Sequence, residues 1–254
     1  LGSLIACLAL LSIPVALSLV LELRLIRELA WGVGRMVVQL LLVGAFLKYL
    51  FLIENPLLTV AWLLIMVFFA AWSVTRSCKL PARHFFFPVL FSLVTALFFL
   101  LWYFLVVVMA RPTLFEVRYA IAVGGMLLGN SLKGNIIGIT RFRDSIRDGL
   151  PRHVYRLALG ATFFEAVRPP VRQAMRAAVT PMIASMSTLG IVFLPGMMTG
   201  QILGGVSPML AVRYQIAIMV TIFTCMTLGT ALTLFFTIRS GFKGNGMPKD
   251  VWRH

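Results

Sequence analysis

The sequence predicts an all-α, polytopic bundle of about seven membrane-crossing helices, joined by short cytoplasmic helices rather than by a soluble domain. Three observations predict it. Hydrophobic residues make up 60% of the chain and charged residues 12%, where a soluble domain carries roughly a quarter charged; the mean hydropathy is +0.97. Apolar runs of about 20 residues recur along the 254 residues, the length needed to cross roughly 30 Å of hydrocarbon. The basic residues fall into alternate connections between those runs.

In chain order the runs lie at 4–21, 34–53, 57–75, 85–109, 117–139, 180–204 and 213–238. Helices are the expected form, because lipid satisfies no backbone group and such runs are too long for barrel strands. The first run is read as a span, since no small-residue cleavage site follows it. The fifth and sixth are rich in glycine and proline, so one of them can be broken or re-entrant. One side of the bundle receives eighteen basic residues, eight of them between Arg141 and Arg176. The other receives Lys48, Arg111, Arg118 and Arg213, with Lys133 near a span end. This asymmetry places the C-terminus in the cytoplasm and the N-terminus outside. The net charge of +15 thus reflects membrane topology rather than nucleic-acid binding.

The segment 141–179 is the sizeable extramembrane connection. Gly149-Leu150-Pro151, Gly160 and Pro169-Pro170 are expected to divide it into short helices. In the last of these, Val171, Ala174, Met175, Ala178 and Val179 follow the spacing of one apolar face, with Arg172 and Arg176 on another. The pattern leaves open whether that helix rests on anionic lipid or docks to a protein. Val154, Leu157, Ala158, Ala161 and Phe164 also recur at helical spacing, giving a face to bury, and Arg156, Arg168 and Arg172 could pair with acidic residues of a partner.

Gly124-x4-Gly129-Asn130-Ser131 has the spacing of a phosphate-binding loop, but Asn130 replaces the lysine and the stretch reads as membrane helix. No ATP site is therefore expected in this chain. Gly125 and Gly129, Gly134 and Gly138, and Gly196, Gly200 and Gly204 form small-residue stripes suited to close helix packing. Cys7, Cys78 and Cys225 have neither disulfide nor zinc spacing. The acidic residues Glu22, Glu28, Glu54, Glu116, Asp144, Asp148, Glu165 and Asp250 all lie outside the middles of apolar runs, so an intramembrane carboxylate relay is not expected. No serine, cysteine or aspartate sits with a plausible base, which argues against an enzyme. Candidates for a translocation path are polar or soft groups at membrane depth: Gln39, Asn130, Met197, Met198 and Gln201.

Arg35-Met-Val-Val-Gln39-Leu, Gly125-Met-Leu-Leu-Gly-Asn-Ser131, Leu157-Ala-Leu-Gly-Ala-Thr162 and Leu194-Pro-Gly-Met-Met-Thr-Gly-Gln-Ile-Leu-Gly-Gly205 resemble the FetB-type permease family. The resemblance runs from about Leu21 to Thr237. It implies one membrane-spanning domain over 1–254, the permease half of an ATP-binding cassette transporter. Such a permease works as a homodimer with a separate FetA-type ATPase that binds the ATP. Bacterial members are associated with iron export, plant relatives with aluminium tolerance and nucleotide-sugar transport. The resemblance also implies a multi-pass protein of the plasma (inner) membrane, an organelle membrane remaining open. Leu159-Gly160-Ala161, Glu165-Ala166 and Pro169 resemble the coupling loop of such transporters, in altered order. That nominates Leu157, Gly160, Phe164, Glu165, Arg168 and Arg172 as the ATPase-coupling set. A stand-alone channel or facilitator for a small polar solute is the alternative.

Overall fold

The computed structural model of the chain describes residues 9–23, 25–53, 55–109, 117–242 and 246–249. It falls into two compact units, Leu1–Glu54 and Asn55–His254. All regular structure among the described residues is helical. In the first unit, α1 (Ser12–Val20) is followed by a turn in which Glu22 has φ 50°. The Leu25 N–H donates to Ser18 Oγ at 3.2 Å, and α2 (Ile26–Ile53) follows. The expected first span lies partly outside the described residues; its described part is a nine-residue helix. The second run starts earlier than the expected 34, so Arg27 and Glu28 belong to α2 rather than to a loop.

The second unit begins at α3 (Pro56–Ser77), whose start is fixed by Asn55: its Oδ1 accepts the Leu57 N–H at 2.9 Å, with Pro56 in the first turn. This is the arrangement that satisfies an otherwise orphan donor. After Cys78, α4 (Ala82–Tyr103) runs on into one π turn, Phe104–Val108. Then come α5 (Val117–Asp148), α6 (Leu150–Ala158), α7 (Phe163–Thr188), α8 (Gly196–Leu203) and α9 (Pro208–Gly241). The centre of the unit is the pair α5 and α9. α9 packs on α4 and α5, while α5 packs on α3 and α7. Phe85, Phe104, Phe142, Leu63, Leu93, Leu97 and Leu127 fill the space between them.

Among the described residues, four helices are long and apolar enough to cross a membrane: α2, α3, α4 with its π turn, and α9. The fifth run is the 32-residue α5, which carries Asn130, Ser131, Lys133 and Asn135 at mid-length. It overshoots the expected end at 139 because Arg143 Nη1 donates to the Cys78 carbonyl at 2.8 Å, tying the extension to the α3–α4 corner. Burial pushes the Cys78 thiol up to about 11, so it stays neutral there. The sixth run is not one span. The end of α7, a turn with φ +87° at Gly190, and the short α8 beginning after Pro195 divide it. Hydropathy alone does not see this break, because Ile191-Val-Phe-Leu194 keeps the run apolar through a non-helical turn.

The expected punctuation of 141–179 holds at Gly149 and at Gly160, whose φ is +87°. It fails at Pro169-Pro170, which lie inside α7. The helix continues because its start is locked by a capping box and because Ala166, Val167, Pro170, Ala174 and Ala178 are buried along one face. The Ala166, Pro170, Ala174 and Ala178 side of α7 packs within the molecule, whereas Val171 and Met175 stay half-buried and Arg172 and Arg176 exposed. Of the three glycine stripes, Gly134–Gly138 makes a close helix contact. Gly129, Gly196 and Gly200 face open space among the described residues.

Candidate functional site

At the end of the second unit formed by the start of α5, the π turn and Met109 end α4 opposite α8. A cavity of about 210 Å³ lies there, and Met109, Tyr119, Met197, Gln201 and Tyr214 contribute its thioethers, amide and phenols. Met197 and Gln201 are four residues apart on α8 and so share a face. Met198, nominated with them, is buried and lies outside the lining. Asn130 is eleven residues beyond Tyr119, about 16 Å along α5, and folds back so that Nδ2 donates to the Met126 carbonyl at 2.9 Å. Gln39 is exposed on α2 in the first unit. The structure therefore gathers two of the five nominated path residues into one cavity.

From the cavity, a polar seam follows the contact between α5 and α9. Asn135 is fully buried, and Nδ2 donates to the Ser131 carbonyl at 2.8 Å while Oδ1 has no partner among the described residues. Thr221, Thr224 and Thr227 on α9 each donate to the carbonyl four residues back, the usual resource of a hydroxyl in a helix. Thr230, Thr233 and Thr237 do not, and their buried hydroxyls lack a partner among the described residues. Thr230 stands between Gly134 and Gly138.

The opposite, arginine-rich end is built by α6, the Gly160 turn and the start of α7. Thr162 caps α7: its Oγ1 accepts the Glu165 N–H at 3.4 Å, and Glu165 Oε2 accepts from the Thr162 N–H at 2.8 Å and hydroxyl at 2.7 Å. The Thr162 hydroxyl, then its N–H, holds the Glu165 carboxyl below its ordinary value. The signature T-x-x-E is legible in the sequence as a cap, whereas the family resemblance nominates Glu165 as a coupling residue.

The expected face through Val154, Leu157, Ala158, Ala161 and Phe164 does not form, because the chain reverses at Gly160. Leu157 turns in against Gly246, where an added Cβ would meet its methyl groups at 3.3 Å. Tyr155, Leu159 and Phe164 point outward, 65%, 69% and 69% exposed. Beneath them the buried His153 sits with Nε2 2.9 Å from the Gly246 carbonyl and its ring 5.8 Å from Phe242. The strap 246–249 is held by Lys249, whose N–H donates to the Gly241 carbonyl at 2.9 Å and whose Nζ donates to that of Ser240 at 2.7 Å.

Thr162→Ala should fray the first turn of α7. Removing a threonine cap is worth about 0.5–2 kcal/mol, so amide exchange at Ala166 and its neighbours should accelerate by roughly two- to thirtyfold. Because the Glu165 pKa is depressed in the folded state, its contribution is complete near neutrality and lost as pH falls below the ordinary carboxylate range, through that depressed value. Exchange in the wild type should show this acid step, and in Thr162→Ala it should not.

With this geometry in hand, comparison with known proteins is decisive. Residues 1–242 match the family described as "Uncharacterised protein family (UPF0014)". The chain belongs to the UPF0014 family. It is 30% identical over 237 residues to "Probable iron export permease protein FetB" of Escherichia coli K12, covering 93% of this chain and 90% of the relative. It is 35% identical over 224 residues to the UPF0014 membrane protein slr1647 of Synechocystis, covering 88% and 86%. It is 33% identical over 215 residues to "Protein ALUMINUM SENSITIVE 3" of Arabidopsis thaliana, covering 84% and 77%. No solved structure matches the chain. The resemblance read from the four motifs is thereby confirmed, and the chain is an integral, multi-pass membrane protein.

Within this UPF0014 chain, sequence reading missed Tyr119 and Tyr214, which reach the cavity from helices far apart in sequence. It also passed over the hydroxyls Thr230, Thr233 and Thr237, although their i, i+3, i+7 spacing marks one face of α9.

Proposed function

We propose that the chain is the membrane-spanning permease of an ATP-driven exporter whose nucleotide-binding subunit is a separate polypeptide. In this reading two copies assemble with two FetA-type ATPase subunits, in the plasma (inner) membrane. One observation carries it: the cavity, which sets Tyr119, Gln201 and Tyr214 among mostly apolar walls, and the exposed apolar corner lie at opposite ends of the same two helices. α5 has 32 residues and α9 has 34, about 48 and 51 Å of rigid helix. A push on the α6–α7 corner would be carried to the cavity, and separation of α5 from α9 would solvate the Thr230–Thr237 seam. The arginine-rich end is cytoplasmic in this scheme, and Leu157, Gly160, Phe164, Glu165, Arg168 and Arg172 surround the coupling corner.

The cargo is a metal ion or a related small solute. Iron is the one suggested by the name of the E. coli relative, and phenol, amide and thioether groups can bind cations without a fixed carboxylate. Co-expression with the ATPase, followed by copurification and cargo-stimulated hydrolysis in proteoliposomes, tests this. Gln201→Leu with Tyr214→Phe should raise the half-saturating cargo concentration by about 5- to 150-fold, two hydrogen bonds at about 0.5–1.5 kcal/mol each, with basal hydrolysis unchanged. Full-rate transport by a preparation free of ATPase would instead establish the channel reading.

A further inference from the structure

A groove of about 440 Å³ runs between α7 and α9, lined by Val167, Val171 and Met175 on one side and Leu234, Phe235 and Ile238 on the other. Its charged lining residues are Arg168 and Arg239. The rings of Phe163 and Phe242 stand 5.2 Å apart and fix the register of the two helices. Arg168 is then about 7.5 Å along α7 from that point and Arg239 about 4.5 Å along α9, so both guanidinium-bearing residues sit at one end. Neither has a carboxylate within ion-pair distance among the described residues. Glu165, the acid nearest Arg168 in sequence, is occupied by Thr162. The Arg239 guanidinium lies 4.7 Å over the Phe235 ring, which holds the charge at the mouth.

We propose that this groove binds one anionic phospholipid, with an acyl chain along α7 and α9 and the phosphate between Arg168 and Arg239. The volume is in the range of small-molecule sites, roughly 300–1,000 Å³. The polarity matches a lipid, with cationic groups at one end and hydrocarbon along the rest. α9 is one of the helices able to cross the membrane, so its last turns lie where acyl chains are available, and basic pockets between spans at such a depth recruit acidic headgroups. The proposal rests on the membrane placement of α9 and is independent of the ATPase reading.

The test places the intact protein in phosphatidylcholine nanodiscs containing a trace of photoactivatable phosphatidylglycerol or phosphatidylcholine, and maps the adducts. Phosphatidylglycerol should label peptides spanning 163–175 and 231–239 in preference to phosphatidylcholine, by roughly fivefold per arginine. Arg168→Gln/Arg239→Gln should abolish the preference while labelling by phosphatidylcholine persists. Arg172→Gln/Arg176→Gln, on the same helix but outside the groove, should leave it intact. Equal labelling by the two lipids, or a preference that survives Arg168→Gln/Arg239→Gln, would overturn the proposal. So would an unlabelled groove, which would mean that protein covers it.

Discussion

Gly138→Leu is expected to abolish recovery of folded protein, and Gly138→Ala to destabilise it by about 1–3 kcal/mol, the usual consequence of overpacking. Three helices converge on this residue. A Cβ at Gly138 would lie 2.7 Å from Thr230 Cγ2 on α9, 3.5 Å from Ala178 Cβ on α7 and 3.8 Å from the Ala174 carbonyl oxygen. Thr230 is β-branched and stiff, so it cannot swing aside as a long side chain would. A Cβ at Gly134, one turn earlier, would meet Met226 Cγ at 2.5 Å and Thr230 Oγ1 at 3.2 Å; Gly134→Ala should therefore destabilise to a similar extent. A Cβ at Gly129 would have nothing within 4 Å among the described residues. Gly129→Ala should be neutral or stabilising, since alanine favours a helix interior over glycine by roughly 1 kcal/mol. Thermal midpoints in detergent rank the three alanine variants, and a Gly138→Leu protein as stable as wild type would mean that α5, α7 and α9 do not meet as described.

This contrast also shows what the sequence could and could not convey. Four-residue glycine spacing recurs three times, and pattern alone treats the repeats alike. Only contact across to α9 and α7 distinguishes Gly134 and Gly138, because close approach is a property of two helices rather than one. The bundle itself was legible, since α3, α4 and α9 each contain an apolar stretch of membrane-crossing length. The sixth run was not, because hydropathy sums side chains and is blind to the φ of +87° at Gly190. Pro169-Pro170 misled in the opposite direction. Each proline removes a backbone donor, yet burial of Ala166, Pro170 and Ala174 carries α7 on through them. At the cavity, Met197 and Gln201 were readable from spacing within α8. Tyr119 and Tyr214, 95 residues apart by number, meet only in three dimensions.

Leu159→Ala combined with Phe164→Ala is expected to eliminate copurification of the proposed ATPase partner, while Arg172→Ala weakens it by less than about tenfold. Both apolar side chains are 69% exposed at a corner whose backbone is fixed by the φ of +87° at Gly160 and by the Thr162–Glu165 cap. Burying each in a partner's groove is worth roughly 1.5–3 kcal/mol, and the pair therefore corresponds to about 10²- to 10⁴-fold in affinity. An exposed arginine pair contributes about 0–1 kcal/mol, so Arg172 should orient the partner more than hold it. Gly160→Pro cannot adopt the positive φ and should misdirect the corner, lowering cargo-stimulated hydrolysis while membrane insertion persists. Phe164 and Arg168 also border the lipid groove, so the two roles are separated by residues that belong to one set alone: Arg239→Gln should weaken the lipid preference and leave assembly intact, whereas Leu159 lies outside the groove and should matter only to assembly. If the ATPase still copurifies with the Leu159→Ala/Phe164→Ala protein but is lost with Arg172→Ala in proportion to anionic lipid content, the corner rests on the membrane surface and the coupling role falls.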